Sequence, residues 1–277
     1  MSKDRRPPTR QSADQMMISA RQRSSGQLSG AASWSDFVVD PSEYRGRVDG
    51  GLGLRCRNPI DGPEQELIEA FLVAATTQLR PGRSLTVFAQ PAIETGFPDL
   101  VAVVWNSKVA ETWVAERDRL RAADLRLLHL LATQGAIDLA DLEGVFQRGL
   151  HGMLTRLEEA AVVTVGRSRC RAKRLSQIFA VERIIAVEAK ISANQRVLEQ
   201  ASANTWFSSE SYALLPTPEA GPASRDVASS FGVGIISLED SRVAEVHQAS
   251  LREVPISYGS WVFNEWTWRI SREQRAV

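Results

Sequence analysis

Apolar residues in this chain fall into two kinds of segment: short β-branched runs, and longer stretches with apolar positions three and four apart. Two of the runs stand out. One reads GFPDLVAVVW, from Gly96 to Trp105, and the other reads IIAVEAKI, from Ile184 to Ile191. Successive strand residues point to opposite faces. Ile184, Ala186, Glu188 and Lys190 therefore share one face, and Ile185, Val187, Ala189 and Ile191 share the other. A carboxylate and an ammonium at the end of an otherwise apolar strand need a reason, and Asp99, opening the other run, supplies a second carboxylate.

The surrounding pattern predicts α/β architecture. Gly62-Pro63 followed by EQELIEAFLVAATTQL is a helix start with proline in the first turn and acids near the positive end. Its apolar stripe holds Leu67, Ile68, Phe71, Leu72 and Ala75. Pro81-Gly82 ends it. Ser84 to Ala89 predicts a strand, and the turn from Pro91 to Gly96 returns the chain as a strand from Phe97 to Trp105. After Lys190, Ser192 or Asn194 can cap a helix carrying Val197, Leu198, Ala201 and Trp206 at helical spacing. A strand from Ser211 to Leu215, a short helix near Arg225 to Ser230, and a last strand in FGVGIISLED complete the alternation. The tail holds Trp261, Trp266 and Trp268, which suit a strand or short helix packed on the core, or an aromatic interface with a second subunit or unstacked bases.

Between the two motif runs lies an insert with its own order. Helices are predicted from Ala123, over Asp138–Phe146 and over Arg148–Ala160, followed by a strand from Ala161 to Val165 and a turn at Gly166–Arg169. Three helices and a hairpin are the order of a winged helix. LTRLEEAAVVTVGRSRCR is similar to the recognition-helix-to-wing passage of bacterial winged-helix proteins. Arg167, Arg169, Arg171, Lys173 and Arg174 crowd the wing with no acid among them, a cluster suited to phosphates. Arg148, His151 and Arg156 lie on the helix that would enter the major groove. The alternative is a solvated surface on a winged helix that contacts protein.

Composition narrows the options. The formal net charge is zero, so any nucleic-acid surface must be local rather than a property of the whole chain. An apolar fraction of 43% is that of a globular protein. Cys56 and Cys170, far apart and without a secretion signal, point to reduced thiols and a cytoplasmic location. His129, His151 and His247 lack metal-ligand spacing, which argues against zinc. No apolar run is long enough to span a bilayer. The expected organisation is a loosely structured arm over 1–55, a discontinuous core over 56–107 and 178–277, and an inserted winged-helix domain over 108–177.

Pro98-Asp99 together with Glu188-Ala189-Lys190 resembles the signature of the PD-(D/E)XK, or restriction-endonuclease-like, nucleases. The resemblance implies a restriction-endonuclease-like core, with a mixed central sheet flanked by helices, interrupted here by the winged helix-turn-helix. It also implies Mg²⁺ or Mn²⁺ held by Asp99, Glu188 and the main-chain carbonyl of Ala189, with Lys190 orienting the attacking water. Glu64 falls near the middle of the first helix's apolar stripe and Glu66 at its edge, so Glu64 is the better match to the family's additional helix glutamate. Gln200 stands where many relatives place a glutamine near the metal, although Asn204 occupies the position that is tyrosine in some of them. The function so implied is endonucleolytic hydrolysis of DNA, in defence against foreign DNA, by a chain that pairs with itself or with another protein to cut both strands. The alternatives are a catalytically inactive DNA-binding or scaffold subunit, and a winged-helix transcription regulator.

Overall fold

Both motif runs become strands of one sheet, and the reason is the spacing of turn residues around them. The computed structural model describes residues 31–39, 52–147, 149–192, 195–217 and 222–274. A short strand β1 (Ala32–Ser33) and a 3₁₀ turn (Trp34–Phe37) precede helix α1 (Pro63–Ala74), which leads into β2 (Thr76–Thr77), the partner of β1. β3 (Arg83–Ala89) and β4 (Leu100–Asn106) form an antiparallel pair. The insert follows: α2 (Ser107–Ala110), α3 (Ala122–Gln134), β5 (Ile137–Asp138), α4 (Leu139–Phe146), α5 (Leu150–Glu159), β6 (Val163–Val165), β7 (Arg169–Ala172) and α6 (Leu175–Ile178). The chain then re-enters the sheet through β8 (Val181–Ala189), α7 (Gln195–Asn204), β9 (Glu210–Leu215), α8 (Pro222–Phe231), β10 (Gly234–Glu239), β11 (Arg242–His247) and α9 (Tyr258–Gln274).

The main sheet has six strands in the order β11-β10-β9-β8-β4-β3. β8, β9 and β10 run parallel to one another, and the remaining pairs are antiparallel, so the sheet is mixed. Alternation along its central strands separates two apolar layers, as the pattern of the runs predicts. Val101, Val103, Trp105, Ile184 and Ala186 face a layer containing α9 and the helices of the insert. Leu100, Ala102, Val104, Ile185, Val187 and Ala189 face the layer of α1 and Trp34. α7 and α8 cover the far end of the sheet through Val197, Leu198, Ala201 and Ala228.

Several expectations change. β4 starts at Leu100 rather than Phe97, because Pro98 has no N–H to give to a ladder. FGVGIISLED is not the last strand: Asp240 and Ser241, both at positive φ, turn the chain back into β11. The tail is a helix of 17 residues, and Trp261, Trp266 and Trp268 are buried in it, so they form core rather than an exposed aromatic interface. Residues 31–39 belong to the core and not to a loose arm. Trp34 is buried edge-on against Phe71, and the Val39 N–H donates to the Val87 carbonyl. Residues 1–30 and 40–51 lie outside the described residues.

The insert contains three main helices and a small sheet ordered β5-β7-β6, and β5 is one strand more than expected. It is not a separate lobe. Its leucines join one continuous apolar cluster with α9 and the sheet. A buried pair ties it down further: Arg117, on a 3₁₀ turn before α3, meets Glu265 of α9 at 2.5 Å, with both side chains almost fully enclosed. The Arg117 guanidinium also lies 3.6 Å from the Trp113 ring centroid and donates to the Ile178 carbonyl.

Candidate active site at the shared end of two central strands

The β4–β8 ladder pairs Leu100 with Val187, Val101 with Ala186 and Ala102 with Ile185. Continuing that antiparallel register by one step sets Asp99 opposite Glu188, on the same face of the sheet. The two motif acids, separated in sequence by the whole insert, are thus neighbours in space. Asp99 Oδ2 accepts a hydrogen bond from the Ala189 N–H at 2.8 Å, which locks the aspartate to the strand that carries the glutamate.

Both acids sit in a poorly solvated corner. Burial is the main influence on Glu188, with the charge of Asp99 second, and together they push its carboxyl up to about 8. Asn204 and Lys190 act in the opposite direction. Asp99 is also raised, chiefly by burial, while the Ala189 N–H and the Lys190 ammonium oppose that rise. Two carboxyls that face each other and resist joint ionisation define a point short of positive charge.

Lys190 follows β8 directly. Its Nζ donates to Glu64 Oε2 at 2.6 Å; the lysine side chain is 21% exposed and that of Glu64 is 47% exposed. Glu64 stands in the first turn of α1, so the helix phase that selects it over Glu66 selects the residue that reaches the site. Its direct partner is the lysine, however, and its effect on Asp99 is through charge. Glu64 is therefore a lysine-holding residue here rather than a third acid packed beside the pair. Among the described residues, no group of three or more His, Cys, Asp or Glu is gathered so as to hold a metal ion.

The glutamate is oriented by a residue that the sequence did not single out for a role. Asn204 Nδ2 donates to Glu188 Oε1 at 2.7 Å from the last turn of α7. Gln200 lies one turn earlier on the same helix, and its Oε1 is buried without a hydrogen-bond partner among the described residues. Glu94, in the loop before Asp99, makes an exposed ion pair with Arg126 of α3 at 3.3 Å, which fits a loop charge rather than a ligand.

The basic residues of the insert divide by what they touch. Arg156 is not the free surface charge expected of it: its Nε and Nη2 bind both oxygens of the buried Asp124 at 2.8 and 2.7 Å, so its guanidinium holds α5 to α3. Arg169 leans on Asp138 and the Ala136 carbonyl but stays exposed. Arg167, Arg171, Lys173 and Arg174 are exposed on and beyond the β6–β7 hairpin. Arg148 lies outside the described residues. Burial pushes the Cys170 thiol up to about 11, which leaves it unreactive. No helix among the described residues is long and apolar enough to cross a membrane. Comparison with family models, with curated proteins and with solved structures returned no match.

Proposed function

We propose that this chain is a metal-dependent nuclease of the PD-(D/E)XK kind that hydrolyses phosphodiester bonds in DNA, with the insert serving as a winged helix that holds duplex. The observation that carries this reading is the register-enforced meeting of Asp99 and Glu188 with Lys190 beside them. The order of the insert, three helices with a three-stranded sheet ordered β5-β7-β6, supports the winged-helix part. Exposed Arg167, Arg169, Arg171, Lys173 and Arg174 would bind phosphates there.

The donor set fits a hard divalent cation. Two carboxyls that repel each other in a buried corner are relieved by positive charge, and carboxylate and carbonyl oxygens suit Mg²⁺ or Mn²⁺. Asp99, Glu188 and the main-chain carbonyl of Ala189 would hold it. When bound, such an ion polarises a phosphate and lowers the pKa of a coordinated water. Lys190, steadied by Glu64, presents an ammonium to charge developing on the phosphate. Asn204 keeps one Glu188 oxygen fixed. The reading places the chain in the cytoplasm, in defence against foreign DNA, with a second copy or a partner needed to cut both strands.

One set of observations favours a second reading, a DNA-binding subunit without chemistry. Lys190 is engaged by Glu64, and among the described residues no third acid is gathered with Asp99 and Glu188 so as to hold a metal ion. Incubation of duplex, single-stranded and branched DNA with Mg²⁺, Mn²⁺ or EDTA decides between them. Metal-dependent cleavage is expected; tight binding without cleavage of any substrate would leave the second reading.

A further inference from the structure

The loop that leads into Asp99 presents an exposed aromatic residue with a tethered cation over its ring. Ile93 and Gly96 exchange two backbone hydrogen bonds, at 2.9 and 3.1 Å, which close the loop into a tight turn and push Phe97 outward. Phe97 as a residue is 45% exposed. Single exposed apolar residues are ordinary on a protein surface, and Phe231, at the end of α8, is another. Phe97 differs in its surroundings. The Arg57 guanidinium carbon lies 5.5 Å from its ring centroid. Arg57 is itself exposed, yet its Nε is fixed by the side chain of buried Gln90 at 3.0 Å, and the Gln90 N–H is bonded to the Asp99 carbonyl at 2.9 Å. The guanidinium is near enough for its charge to act on Asp99. Only Pro98 lies between Phe97 and Asp99, two Cα steps that span at most about 7 Å.

A ligand for such a surface needs a planar π-face for the ring and an anionic flank for the guanidinium, within one step of Asp99 and Glu188. A nucleotide has both. A base inside a duplex is stacked on its neighbours and cannot offer a face, so the base must be unpaired. We infer that Phe97 and Arg57 form a clamp for one unpaired nucleotide next to the Asp99–Glu188 pair, so that the preferred substrate is a duplex arm continuing into a single strand. This deepens the nuclease reading and rests on it for the placement of the cut.

The test measures binding by the full chain in EDTA, with fluorescent oligothymidylate, blunt duplex, and duplex with an oligothymidylate overhang as probes. Phe97→Ala is expected to weaken the overhang and single-strand probes about ten-fold or more, with blunt duplex unchanged and Phe97→Trp restoring affinity. Arg57→Gln is expected to weaken the same two probes and to flatten their salt dependence. Affinities within two-fold of the parent for Phe97→Ala, an equal loss on blunt duplex, or no binding of any probe would overturn the clamp. Cleavage in Mg²⁺, and its loss in Glu188→Gln, reads the nuclease assignment separately. Cleavage that is indifferent to Phe97 sinks the clamp alone. Phe97-dependent binding without cleavage keeps the clamp and removes the nuclease.

Discussion

Asp99 and Glu188 face each other one step past the last paired residues of the β4–β8 ladder, and the Ala189 N–H bonds the aspartate to the glutamate's own strand. A ladder in register can therefore assemble this pair without help from any loop. Alanine in place of Asp99, Glu188 or Lys190 should lower metal-dependent cleavage by about a hundred-fold or more, while affinity for duplex, measured in EDTA, stays near that of the parent. Retained cleavage in all three variants would remove the site.

The pH dependence of stability follows from Glu188. Between the ordinary glutamate value of 4.5 and about 8, the folded chain holds this proton and the unfolded chain does not. Stability without metal is therefore fully present below that window and falls as pH rises through it. Glu188→Gln, which stays neutral, should remove most of this slope, a difference on the order of a few kcal/mol at the alkaline end. Urea denaturation in EDTA at several pH values reads the effect; parallel pH curves for parent and variant would contradict the burial of this carboxyl.

Arg156 and Arg171 should respond in opposite ways. Arg156→Ala strands the buried Asp124 charge and should cost about 3–5 kcal/mol of stability. Arg171→Ala, at an exposed hairpin position, should leave the melting temperature nearly unchanged but reduce both duplex affinity and its salt dependence. Thermal melts paired with anisotropy titrations at two salt concentrations separate the two behaviours.

Gly234 lies where β10 passes under a tyrosine. A Cβ there would fall 2.3 Å from the Tyr212 ring and 2.7 Å from the Ala249 nitrogen. Gly234→Ala should therefore destabilise the chain by about 1–3 kcal/mol through overpacking. Gly144→Ala, which meets nothing within 4 Å, is the matched control in the same denaturation assay.

What could be read from the residues depended on whether a period or a partner determined it. Strand alternation told which side of β8 carries Glu188, and helix phase chose Glu64 over Glu66, because each follows from local geometry. Asn204 escaped because its role arises only when α7 docks its last turn against β8. The pairing of Arg156 escaped for a similar reason: its partner, Asp124, sits at the start of another helix, where it also accepts from the Arg121 N–H, and nothing in the spacing announces the pairing. β11 was missed although Asp240-Ser241 and the alternating RVAEVH were visible, since a polar edge strand carries little apolar signal. The length of α9 was hidden by aromatic residues, which favour strands by propensity and are overruled here by packing against the sheet.

Because the leucines of α3 and α5 share one interior with Trp105 and α9, the 108–177 segment is not a detachable cassette. Excising it would strip cover from Val101, Val103 and Ile184 and orphan Glu265, which depends on Arg117 for its counter-charge. A shortened chain joined across 107 and 178 should aggregate rather than persist as a smaller folded protein. Swaps of this segment between proteins would have to transplant α9 along with it.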